Sequence, residues 1–132
     1  MSDDLVFVLP LAVLRMLNYQ LPSTEAATSY DDHIVYSREN ALKLSRLLLS
    51  KWQLPQSEVD AFFKEPGPSN EVLGHLLATK LLLRPLVGLE QCGEYFNAPH
   101  KQFEGRSLWQ QMQMGTEAST QVKEYLMGCI GR

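Results

Sequence analysis

The stretch SNEVLGHLLATKLLLRPLVG, Ser69 to Gly88, decides how the rest of the chain is read. Ser69 carries the short hydroxyl that suits a helix N-cap. From Leu76 to Leu83 the sequence is apolar almost all round, a pattern that places a helix at the centre of a bundle rather than on its surface. Pro85 should kink this helix near its end, and Gly88 can close it.

Working outward, Ser37 reads as the N-cap of a helix over RENALKLSRLLLSKW. Ala41, Leu44, Leu48 and Trp52 recur on one face, with Lys43, Arg46, Ser50 and Gln53 on the other. PQSEVDAFFKE follows as a second helix that buries Val59, Phe62 and Phe63, and the prolines of PGP at 66–68 end it. Nearer the start, Pro10 suits a first helical turn and gives a short helix over 10–17 after an extended apolar lead-in. The polar run 20–33 reads as a mobile loop. Downstream, LEQCGEYF gives a short helix. Thr116 caps a last one, in which Ala118, Val122, Leu126 and Ile130 fall four apart. No segment reads as a convincing strand. The expected fold is all-α: a small multi-helix bundle with a Pro/Gly-containing loop before its last two helices. It divides into an N-terminal helical region, 1–66, and a second helical region, 67–132.

With 132 residues, 45% of them hydrophobic, the chain can bury a single core. A net charge of −3 disfavours a protein that lives on phosphate contacts. The two cysteines, Cys92 and Cys129, are too few for a disulfide framework and lack metal-ligand spacing. The apolar start LVFVLPLAVL follows Asp3 and Asp4, where a secretory leader would be basic, and it is too short to span a bilayer. A cytoplasmic protein with no membrane partner is expected.

The sequence points to no catalytic residue, metal site or cofactor. His33, His75 and His100 lie far apart, with no ligand spacing. Asp31, Asp32 and His33 read as a solvated acidic loop. No phosphate-cradling glycine loop or nucleophile elbow is present. The basic residues Arg38, Lys43, Arg46 and Lys51 read as a solvated helix face, and Arg84 as a side chain that snorkels to water.

One stretch departs from the regular pattern: YFNAPHKQFEGRSLWQQM, Tyr95 to Met112. Gly105 can take a positive φ, Ser107 can cap a helix that begins at Leu108, and Phe103 can pin the loop to the bundle. Together with TEASTQVKEYLMGCIGR, this stretch resembles the toxin-binding C-terminal domain of the Xre/MbcA/ParS antitoxins. Tyr95 and Phe96 match the aromatic end of a helix, Pro99 the loop proline and Phe103 the apolar loop residue. Gly105, Arg106 and Ser107 match a glycine–basic–hydroxyl turn. Thr116, Val122, Leu126 and Ile130 match the final helix. The sequence departs from that family at His100, where asparagine is usual, at Glu104, often glycine, and at Leu108, often proline.

The resemblance implies a non-enzymatic antitoxin that blocks a RES-domain, NAD-consuming toxin. Arg106, Leu126, Ile130 and Arg132 would touch the toxin, and Phe96, Pro99, Phe103, Gly105 and Ser107 would shape the loop. LPQSEVDAFF is similar to the first helix of the family's helix-turn-helix. KEPGPSN then stands where a recognition helix belongs, and its prolines forbid one, which counts against DNA binding. A DNA-binding regulator and a small helical adaptor or oligomerisation domain are the alternatives. Homo-oligomerisation stays open.

Overall fold

A computed structural model describes residues 5–17, 28–30 and 32–130. In chain order its elements are β1 (Leu5–Pro10), α1 (Leu11–Met16), β2 (Thr28–Tyr30), β3 (His33–Ser37), α2 (Arg38–Lys51), α3 (Gln56–Phe63), α4 (Asn70–Val87), α5 (Cys92–Asn97), α6 (Leu108–Met112) and α7 (Thr116–Ile130). Single 3-10 turns occupy Leu89–Gln91 and Lys101–Phe103.

The molecule is mostly helical but not all-α. A three-stranded antiparallel sheet, ordered β1-β3-β2, lies against the helices. Its residues explain why sequence pattern did not disclose it. In the central strand β3, Ile34, Val35 and Tyr36 are all buried, so the alternation that marks a half-exposed strand is absent. In β1 the register shifts between Phe7 and Leu9, so Val8 and Leu9 are both buried while Phe7 is exposed. The expected loop 20–33 is corrected where it is described. Thr28–Tyr30 pairs with β3, and Asp32 turns the chain with φ +58°, a conformation Asp tolerates better than most residues. Asp31 and 18–27 lie outside the described residues. Pro10 closes β1 and stands just before α1, where its missing N–H costs nothing.

The remaining helices follow the sequence closely. Ser37 Oγ accepts from Asn40 N at 3.2 Å, and Ser69 Oγ accepts from Val72 N at 3.2 Å. Helix α4 continues through Pro85 to Val87 and stops at Gly88, whose φ is +87°. Leu73, Leu76, Leu82 and Leu83 are fully buried, and α4 packs against β1, α2, α5 and α7. One hydrophobic core thus runs from Val6 to Leu126 with α4 at its centre.

Two of the residues read as a solvated basic face are held within the chain. Arg38 donates to Asn70 Oδ1 at 2.7 Å and to the Pro66 carbonyl at 3.1 Å, pinning the PGP segment. Arg46 pairs with Asp60 at 3.4 Å and lies over the Phe63 ring at 4.8 Å. The segment between α3 and α4 holds no helix, and the helix that follows is the buried α4. Among the described residues no helix is long and apolar enough to cross a membrane.

Candidate functional site

The stretch Pro99–Ser107 closes on itself. Pro99 and Ser107 form an antiparallel bridge, and His100 N donates to the Arg106 carbonyl at 3.1 Å. Inside, the His100 carbonyl accepts from Phe103 N at 3.0 Å and Gly105 N at 2.9 Å. Glu104 and Gly105 carry φ of +58° and +88°, consecutive left-handed residues that reverse the chain. Ser107 then caps α6 with a full capping box. Its Oγ accepts from Gln110 N at 3.0 Å, and Gln110 Oε1 accepts from Ser107 N at 2.8 Å.

His100, the departure from the family pattern, is buried and fills a structural role. Its Nε2 donates to the Tyr95 carbonyl at 3.0 Å, near the end of α5, which fixes the ring tautomer. The ring packs edge-on against Tyr95 at 4.6 Å and Tyr125 at 6.0 Å, and Phe103 meets Tyr125 at 5.5 Å. These contacts seat the loop on the C-terminal half of α7. Burial, with the Tyr125 hydroxyl beside it, pushes the Tyr95 phenol well above its ordinary range, so it stays protonated.

Arg106 is fixed at both sides of its guanidinium. Nε donates to Gln111 Oε1 at 3.0 Å, and Nη1 lies 3.5 Å from Glu104. The buried Gln111 passes the contact on, donating to Gln121 Oε1 of α7 at 2.8 Å. The side chain remains 38% exposed, so a partner can still reach it. Phe96 and Phe103 are buried and hold the loop down.

Leu126 needs correction as a contact residue. It has no exposed surface and packs in the core, as the four-residue stripe on α7 implies for its inward face. Ile130 is partly buried at the end of α7, packed against the core, and Arg132 lies outside the described residues.

Sequence reading missed the polar pin between α4 and α7. His75 Nδ1 and Ser119 Oγ are 2.7 Å apart, and Ser119 is fully buried. The one Ser119 hydroxyl proton goes to the Thr116 carbonyl at 2.8 Å. His75 must therefore donate from Nδ1, which leaves Nε2 unprotonated in the neutral ring. Burial, then the Lys123 charge, holds the His75 pKa below its ordinary value, with Glu71 opposing. The unfolded chain thus binds this proton at a higher pH than the folded one. Stability should fall as pH drops from about 6.5 toward the depressed folded value. Thermal melts between pH 7.5 and 5 check this: His75→Gln should flatten the upper part of the decline, and an equal slope in both proteins would contradict it.

No protein-family model, curated protein or solved structure matches this chain.

Proposed function

We propose that this protein is an antitoxin-like module of a bacterial toxin–antitoxin pair. It acts in the cytoplasm by binding and sterically blocking a RES-type, NAD-consuming toxin, without turnover of its own. The observation that carries the reading is the closed 99–107 loop, which locks Arg106 through Gln111 onto α7. Such a loop presents one cation at a fixed position, so little conformational entropy is lost when an acidic cleft closes on it. Ile130, half-buried at the end of α7, would supply the apolar contact beside it.

Co-expression with a RES toxin tests this through growth and cellular NAD. The wild-type chain should neutralise the toxin. Arg106→Glu, and deletion of 129–132, should each weaken binding by at least about tenfold, as loss of an anchor does, with melting curves nearly unchanged. Full neutralisation by both variants would place the blocking surface elsewhere. Failure of the wild-type chain to bind any RES toxin would end the reading.

A further inference from the structure

Lys123 stands apart among the chain's six lysines. Lys43, Lys51, Lys64 and Lys101 are exposed to water, and the half-buried Lys80 is engaged with a neighbour. Lys123 is half-buried on the side of α7 that meets α4, one turn beyond Ser119. Its ammonium makes no hydrogen bond or ion pair with any described residue. Withdrawal from water penalises a charge that nothing pairs, so this position favours the neutral amine more than the others do.

Lys123 lines a cleft of about 390 Å³, a volume that suits a small molecule. Opposite it stand Glu71 and His75 of α4 and His33 of β3, and β1 contributes only the apolar Leu5, Phe7 and Val8. His33 is held edge-on to Phe7, with ring centroids 5.6 Å apart. His75 has given Nδ1 to Ser119, so its remaining ring nitrogen is an unprotonated acceptor. That nitrogen is available to take the proton an amine must lose before it can attack. Burial lowers the Lys123 pKa, with Glu124, its neighbour on α7, pulling the other way. The Lys123 charge in turn helps to keep His75 neutral.

We propose that Lys123 is a carbonyl-reactive amine, and that its cleft takes a small aldehyde with an apolar body. The lone pair of the neutral amine attacks the carbonyl carbon and forms a C–N bond, and the carbonyl oxygen takes up a proton. The resulting carbinolamine loses water and leaves a protonated imine. An ammonium and an aldehyde thus give an iminium and one water, with no oxidant or reductant. The aldehyde's tail lies against the β1 wall. A carboxylate paired with Lys123 would have held the ammonium form and suppressed this chemistry, and a fully exposed lysine would offer the tail no wall. The site does not include the Arg106 loop and stands or falls independently of the toxin-binding reading.

Limiting hexanal with cyanoborohydride is the probe, applied to the full chain near neutral pH. The hydride traps each imine as a stable secondary amine, and peptide mass mapping ranks the six lysines against one another. Lys123 should be alkylated at least about threefold faster than Lys43 or Lys101. The preference should vanish in guanidinium, which abolishes the cleft. It should shrink as the pH approaches about 10.5, where exposed lysines lose their protons too. Formaldehyde, which has no tail, should show a smaller preference for Lys123. Alkylation of Lys123 no faster than that of Lys43 and Lys101, or faster only after unfolding, would overturn the inference. Equal preference with both aldehydes would overturn the part assigned to the apolar wall.

Discussion

Gly74→Ala should destabilise the protein by about 3 kcal/mol, although alanine is the better helix former. In a solvent-facing helix the same change would gain up to about 1 kcal/mol from backbone entropy alone. Here α4 crosses β1 at Gly74, and a Cβ would land on the Phe7 carbonyl oxygen, with Val6 Cγ1 also 3.5 Å away. The obstacle is main chain, paired within a sheet, so it cannot turn aside as a side chain would. Either the sheet or the central helix must move, and overpacking outweighs propensity. Gly128→Ala provides the contrast, since Gly128 lies in α7 with nothing within 4 Å of the place a methyl would take. It should raise stability by a few tenths to about 1 kcal/mol. Thermal melts of the two variants should move in opposite directions, the first down by roughly 10 °C. A Gly74→Ala protein that melts like the wild type would mean that β1 does not lie against α4.

What the sequence disclosed and what it hid separate along one physical line. Helix α4 was legible because its signals are local: a serine cap, a long apolar run and a terminal glycine within one segment. The same holds for the 99–107 loop, where Gly105 and the Ser107 cap act on their own neighbours. The sheet was hidden because its strands are short, one is bulged, and the central one is buried at three residues in a row, Ile34, Val35 and Tyr36. Helical expectation also spilled over into burial: Phe62 and Phe63 are only partly buried, packing edge-on to each other at 5.1 Å near the rim of the core.

The site shows the same division. Leu126 belongs to a stripe whose spacing already marked an inward face, and only the family resemblance moved it to a contact surface. The pins that hold α7 and α6 in place join residues far apart in the chain, His75 to Ser119 and Glu58 to Trp109. No local spacing encodes them. A hydroxyl on the buried face of a helix, such as Ser119, was the one available hint, because it needs a partner.

Trp109→Ala should cost about 4 kcal/mol and take the Arg106 loop with it. Trp109 is 2% exposed and begins the aromatic chain that fastens α6 to its surroundings, with ring centroids 5.1 Å from Phe62 of α3 and 6.1 Å from Phe96 of α5. Its Nε1 donates to Glu58 Oε1 at 2.7 Å, a charge-assisted contact from α6 to α3. Truncation leaves a void among rings that cannot close over it, since Phe96 is itself held at 4.7 Å from Trp52. Trp109→Phe keeps most of the packing and loses chiefly the donor, for a smaller cost of about 1–2 kcal/mol. Because α6 carries both the Ser107 cap and Gln111, the alanine variant should also loosen the bond that fixes Arg106. Amide exchange separates the two levels of effect. In Trp109→Phe the Gly105 and Arg106 amides should stay protected, and in Trp109→Ala they should exchange much faster than those of α4. Equal protection of the loop in all three proteins would show that the 99–107 turn holds its shape without α6.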